Sequence, residues 1–270
     1  VGEIVEVITG RVTNPAAFTA VTINSGDPGA GAAGGTGVRS FSGATPKLEG
    51  VWYQGAAAGF VRVRSNRLHD PVRGITLAAP AALPTNLLPD GTEQILQETD
   101  TLILEVQGGA AEIDTAALLI SYGNVSEGTS KLRMWEQVRP LIRNIVGHQV
   151  DAAGPVTSGD WSAGTNFNNL SGLLHADTFY AVLGYEVDAP VLAVALRGPD
   201  TGNYRVGGPG PLQPLETRDW FIRQSKLHNA PRVPVFNSQN QAATQAFVAR
   251  VTAAGTVNVT WVLAELNAQP

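Results

Sequence analysis

Lys131-Leu132-Arg133-Met134-Trp135-Glu136-Gln137-Val138-Arg139-Pro140-Leu141-Ile142-Arg143-Asn144-Ile145-Val146 lies near the middle of the 270-residue chain and is its clearest helical pattern. Leu132, Trp135, Val138, Ile142 and Ile145 recur at steps of three and four, which predicts one apolar helix face packed on a sheet. Ser126, Thr129 and Ser130 offer N-caps and Gly147 a C-terminal stop. Pro140 in the interior predicts a kink or a division into two short turns. Lys131, Arg133, Arg139 and Arg143 face only one acid, Glu136, within a chain of net charge −5. The stretch reads as a hinge, because the chain on its N-terminal side resembles the chain on its C-terminal side.

On both sides the signals are those of β structure. Thirty glycines and 17 prolines punctuate the chain, and Val and Thr are frequent between them. Before the hinge, strands are expected at 3–12, 18–23, 51–53, 60–64, 101–106 and 115–122. Phe60-Val61-Arg62-Val63-Arg64 alternates apolar with basic, so one of its faces is core and the other is wet or in contact. After the hinge they are expected at 179–185, 191–196, 233–236, 246–251 and 256–266. One or two helical turns are expected at 92–99, and a second helix at 217–228 capped by Thr217. Gly50-Val51-Trp52-Tyr53 with Gly59 to Arg64 after it is echoed by Tyr180 to Tyr185 with Val191 to Arg197 after it. Each half then has a Gly/Pro connection, a short helical piece and a closing hairpin. The expectation is an all-β chain of two tandem β-sandwich domains joined by a short helical linker, 1–125, 126–147 and 148–270, which the resemblance given below makes jelly-roll-like.

Composition excludes several functions. There is no cysteine, so neither a disulfide framework nor a thiolate metal site exists. No apolar run approaches the roughly 20 residues of a membrane-spanning helix. The opening Val1-Gly2-Glu3-Ile4-Val5-Glu6-Val7-Ile8 alternates like a strand and lacks a basic leader, so no secretory signal is expected in the chain as it stands. Net negative charge argues against nucleic-acid binding by the whole molecule, while the basic hinge leaves a local nucleic-acid contact open. Gly29-x-Gly31-x-x-Gly34 has dinucleotide-binding spacing, but Val38-Arg39-Ser40-Phe41 stands where a helix is required. His69, His148, His175 and His228 are scattered without metal-ligand spacing, no G-x-S-x-G elbow occurs, and Asp188, Asp200 and Glu216 form no calcium loop. His69 with Asp70 and His175 with Asp177 are the only acid–base pairings the turns suggest. No catalytic residue, metal or cofactor is therefore expected, and the chain is read as non-enzymatic.

Charged residues make up only 15%, against roughly 25% in ordinary domains, so the chain either hides much of its surface in contacts or exposes a bland surface of Ala, Gly, Ser and Thr. Two β-sandwiches, a short helical linker, low charge and long Gly-rich loops resemble the double jelly-roll capsid proteins of bacterial and archaeal viruses. The ending Val257-Asn258-Val259-Thr260-Trp261-Val262-Leu263-Ala264-Glu265-Leu266 is similar in style to phage structural proteins. That resemblance implies a virion location and a capsid shell subunit forming trimers or pseudo-hexameric capsomers with copies of itself and other virion proteins. Lys131, Arg133, Trp135, Arg139 and Arg143 are the candidate interface residues. The alternatives are a capsid decoration protein and a carbohydrate- or host-surface-binding module, for which Trp161, in the polar run Ser158-Gly159-Asp160-Trp161-Ser162, is the candidate ligand platform.

Overall fold

The computed structural model describes residues 2–24, 27, 35–68, 70–80, 85–109, 113–126, 132–152, 160–169, 174–189, 191–210, 217–250 and 257–270. In the first half the strands are β1 (Gly2–Thr13), β2 (Thr19–Ala20), β3 (Thr22–Ile23), β4 (Gly35–Gly37), β5 (Thr45–Gln54), β6 (Gly59–Arg64), β7 (Ile75–Ala79), β8 (Thr85–Asn86), β9 (Gln94–Ile95), β10 (Thr101–Gln107) and β11 (Ile113–Val125). They form two antiparallel sheets, β3-β1-β11-β5-β8 with β9 also on β5, and β2-β10-β6-β7 with β4 also on β10.

The second half contains β12 (Leu132–Arg133), β13 (Ile142–Ala152), β14 (Thr165–Asn166), β15 (Phe179–Val187), β16 (Val191–Arg197), β17 (Val206–Pro209), β18 (Val233–Asn237), β19 (Gln245–Arg250) and β20 (Val257–Leu266). Its sheets are β12-β18-β15-β20-β13 and β14-β19-β16-β17. The orders repeat: β1-β11-β5-β8 corresponds to β13-β20-β15-β18, and β2-β10-β6-β7 to β14-β19-β16-β17. Each half is a two-sheet jelly roll, and the echo between the halves is a repeat of strand order.

The two sandwiches stack sheet on sheet. Along β1 and β11, alternate side chains point to opposite faces. Ile4, Ile8, Ala116, Leu118, Ile120 and Tyr122 fill the first sandwich with Val61, Val63, Leu102 and Leu104. Val5, Val7, Ala117 and Leu119, together with Trp52 of β5, belong instead to the core of the second sandwich, among Val191 to Leu196 and Phe247. The result is four layers, with the β1 sheet and the β16 sheet inside and the β6 sheet and β20 sheet outside. Of the two readings of low charge, hidden surface is met in part here, within one chain. Two short helices, α1 (Trp135–Val138) and α2 (Trp220–His228), lie on the outer β20 sheet, where Trp135, Val138 and Ile222 pack on Leu183, Val235 and Leu266.

The long central helix is not formed. Only α1 and a 3-10 turn, Arg139–Leu141, are helical, and the chain from Ile142 is strand β13, paired with β20. Pro140 withholds an amide from further helix and clashes with the preceding turn. Beyond it a second period operates: His148 and Val150 are buried, while Ile145, Gly147, Gln149 and Asp151 are exposed. The spacing of Ile142 and Ile145 suits a helix, but the alternation from Gly147 onward suits a strand. The strand also explains why residues 142–147 join the second sandwich and leave the helical piece of the linker at Trp135–Leu141. The turns expected at 92–99 likewise give way to β9, which pairs with Lys47 and Leu48 on β5. The second helix begins at Trp220 with Asp219 as N-cap, because the Thr217 carbonyl already accepts the Tyr185 and Trp220 amides, at 2.9 and 3.1 Å.

Candidate functional site

The candidate interface residues of the hinge are dispersed by the fold. Lys131 lies outside the described residues. In β12, Arg133 is spent on main-chain carbonyls, donating to Pro270 O at 3.2 Å and Leu132 O at 3.1 Å. Trp135 is buried, its amide donating to Ser225 Oγ at 3.0 Å and its ring 5.7 Å from Lys226 Nζ. Arg139 and Arg143 alone are exposed. Arg143 is the extra residue of a bulge in β13 and pairs with Glu265, which also accepts from His175 Nδ1 at 2.7 Å. The Arg143 guanidinium is the main cause that holds the Glu265 carboxyl below the usual range. These two arginines flank the entrance to β13.

That strand is itself the exceptional feature. Every other strand at the side of a sheet has five residues or fewer, whereas β13 has 11 and, among the described residues, a partner on one side only. Its free side can be assigned. Asn258 donates its amide to Asp188 Oδ1 at 2.9 Å and accepts the Asp188 amide at 3.3 Å, so its main chain is turned towards β15. Asp151 stands opposite Asn258 in register. In an antiparallel ladder the groups of such a pair point away from each other, so Asp151 and, by alternation, Gln149, Gly147 and Ile145 direct their amides and carbonyls outward. Consistently, the Ile145 amide donates to Asn144 Oδ1 at 2.9 Å and to no strand among the described residues. Ile145 is 51% exposed. The equivalent edge of β1 is covered, by β3 at Gly10 and Arg11 and by the Arg205 carbonyl, which accepts the Val7 amide at 3.2 Å.

Trp161 is not a platform. It is 8% exposed and lies in the seam between the sandwiches, its indole N–H donating to Asp27 at 3.0 Å, with the Arg205 guanidinium 5.4 Å from its ring. Of its polar neighbours, Ser162 is buried and Asp160 pairs with Arg11 of β1, long-range facts that local composition does not carry. Asp27 also accepts from Arg205 Nη1 at 2.8 Å and the Thr9 amide at 3.1 Å. Burial nevertheless pushes its carboxyl up to about 7, against the pull of Arg205.

A second clasp crosses the seam at Arg232, which is 3% exposed. Its Nη2 donates to Glu3 and Glu49 of the first sandwich at 2.6 Å each, and Nη1 donates to Glu49 again; Ser121 donates to Glu49 at 2.6 Å. One guanidinium serves two buried carboxylates unequally. Burial raises the Glu3 carboxyl, while at Glu49 burial is outweighed by Arg232, so that carboxyl is held low. His228 sits 3.3 Å from Glu93, and burial and Arg232 lower its pKa. A cleft of about 630 Å3 opens above this cluster. Nothing in the local sequence announces that Glu3, Glu49 and Arg232 meet, since they come from opposite ends of the chain.

The acid–base pairings suggested by the turns do not assemble. His69 is outside the described residues, and His175 binds Glu265 while Asp177 accepts from Asn237 Nδ2 at 3.2 Å. Among the described residues no three His, Asp or Glu side chains converge as metal ligands. Among them, too, no helix is long and apolar enough to cross a membrane.

No family model and no curated protein matches the chain. Among solved structures it is similar to the PBSX exported protein XepA, with 11% identity and a TM-score of 0.25, over 93% of this chain and 86% of that one. A likeness of that order carries no functional reading.

Proposed function

We propose that this chain is a non-enzymatic structural subunit of a virion shell that assembles with copies of itself. The observation that supports the reading most is the β13 edge, which has no strand partner among the described residues. Long, regular, exposed strand edges template pairing with another chain, and folded proteins ordinarily shorten, charge or cover them. Residues 144–152 contain no proline or lysine, and the bulge at Arg143 lies before them. The first sandwich shows what the equivalent edge does when a neighbour is present, since β1 has its edge taken up within the chain from Val7 to Arg11. A subunit built from two jelly rolls, one edge partly covered and the other open among the described residues, suits addition of a neighbour by strand pairing. Internal stacking already accounts for much of the low charge, so composition adds little to this reading.

Light scattering over a concentration series, with negative-stain electron microscopy of the same samples, tests it. Oligomers growing into sheets or shells are the expected result, and Ile145→Lys with Gln149→Lys should disperse them by charging the edge without touching the β20 ladder. A strict monomer at every concentration, or assemblies indifferent to the two lysines, overturns the reading. A protein that joins only preformed shells marks a decoration protein instead.

A further inference from the structure

A second cleft on the seam has the opposite electrostatic character from the one above Arg232. The larger cleft sets Glu3, Glu49 and Glu93 against Lys47 and Arg232, with His228 beside them. The smaller, of about 280 Å3, is lined by Arg39, Arg197 and Arg205 with Glu6, Asn203 and Tyr204. Three guanidinium groups face one carboxylate in a protein that is acidic overall.

The charges there are unequally committed. Arg39 grips Glu6 through two hydrogen bonds of 2.9 and 2.8 Å and lies 5.6 Å from the Tyr204 ring, so Glu6 is neutralised. Arg205 reaches Asp27 through Nη1, but its Nε is buried without a partner among the described residues. With Asp27 raised to about 7, that counter-charge is only partly present at neutral pH. Arg197, the last residue of β16, is exposed, and among the described residues its side chain makes no ion pair or hydrogen bond. The wall opposite is a tight turn through Gly202 and Asn203, both left-handed at φ 69° and 63°, which brings Asn203 and Tyr204 to the rim. The cleft thus holds net positive charge, one uncommitted guanidinium and a polar rim.

We propose that this cleft binds a phosphate group, free or carried as a monoester on a small sugar, with Arg197 as its principal contact and Arg39 and Arg205 flanking it. Guanidinium groups match phosphate oxygens with paired, charge-assisted hydrogen bonds. The residues come from both sandwiches, Glu6 and Arg39 from one and 197–205 from the other, so the site exists only in the stacked chain. The volume exceeds that of phosphate alone and leaves room for a ring beside Tyr204. The site is independent of the β13 edge and of the assembly reading.

Calorimetric titration of the full chain at low ionic strength with inorganic phosphate, glucose 6-phosphate and glucose decides it. Phosphate should bind, glucose should not, and Arg197→Gln should weaken phosphate binding at least tenfold while melting at the wild-type temperature. Arg197→Lys should recover part of the affinity. Glucose 6-phosphate binding more tightly than phosphate identifies an ester as the ligand; equal affinity identifies the free ion. Sulfate, whose charge is constant over the range, should bind more tightly at pH 6 than at pH 8 as Asp27 takes up its proton. No binding of phosphate, unchanged binding in Arg197→Gln, or an equal loss in the control Arg139→Gln overturns the proposal.

Discussion

Strands β6 and β16 occupy the same place in the two jelly rolls, yet Gly59-Phe60-Val61-Arg62-Val63-Arg64 alternates while Val191-Leu192-Ala193-Val194-Ala195-Leu196 is apolar throughout. The difference is one of layers. In the outer sheet, Val61 and Val63 are buried and Phe60, Arg62 and Arg64 lie on the wet side, where both arginines hold Glu105 at 2.6 and 2.7 Å. In the inner sheet, all six residues from Val191 to Leu196 are buried, because the first sandwich covers what would be the wet face. The same contrast separates β11, buried from Asp114 to Tyr122, from β20, which alternates from Val257 to Val262. Alternation in one copy of a repeat and its loss in the other therefore locates the face on which the copies stack.

The sharpest way to break this comparison is to empty the shared layer. Trp52 is fully buried between the sandwiches, so Trp52→Ala should cost about 4 kcal/mol in urea unfolding. Since its core is common to both halves, fluorescence and circular dichroism should report one shifted transition. Two separated transitions, with only the first sandwich weakened, would show that the halves stack without cooperating. Next in size is the clasp at Arg232. Arg232→Met leaves Glu3 and Glu49 buried without their cation and should cost about 3 kcal/mol near neutral pH. Acidification should recover part of it, as the carboxylates become neutral. A loss below about 1 kcal/mol would mean that the carboxylates find water when the guanidinium goes.

The all-β class, the strand–turn rhythm and the echo between halves were legible in the sequence because each is written in short-range pattern. The division of β6 into a core face and a polar face was legible for the same reason. The stacking face was within reach, since the apolar runs at 115–120 and 191–196 are the marks of strands covered twice. The central helix misled because five apolar positions fit a helical period on either side of Pro140, while the strand that replaces it is selected by pairing with β20, far away in sequence. Trp161 misled through its polar neighbours, and the Glu3–Glu49–Arg232 cluster left no local trace at all. Contacts that close across the seam depend on docking of whole sheets, which local spacing does not encode.

The two clasps of the seam also differ in their response to pH. Asp27 has a raised carboxyl, from 3.8 to about 7, so the folded chain holds its proton more tightly than the unfolded chain does. Its contribution to stability is fully present below about 4 and is lost as pH rises through about 7. Comparing wild type with Asp27→Asn isolates the effect from Glu3 and Glu49. The stability of wild type relative to the variant should fall with rising pH between about 4 and 7, by at most about 1.4 kcal/mol per pH unit. A difference that grows with pH would mean that Arg205 holds the carboxylate ionised and that burial is the lesser influence.

The smallest effect belongs to the wet face of β6. Arg64 pairs with Glu105 across the strands at 2.7 Å on the solvent side, about a quarter exposed, where water screens the charges and holding two long side chains in place costs entropy. Arg62 also holds Glu105, so the carboxylate keeps a partner when Arg64 is removed. Arg64→Ala should therefore cost less than about 1 kcal/mol, and less again in about 1 M salt, where the Debye length falls to about 3 Å. The same residue type on β16 would be buried from both sides, so introducing Val194→Arg there should prevent stable folding. If Arg64→Ala proves as damaging as a core deletion, the β6 face is not wet in the protein as it exists in solution, and a further contact covers it.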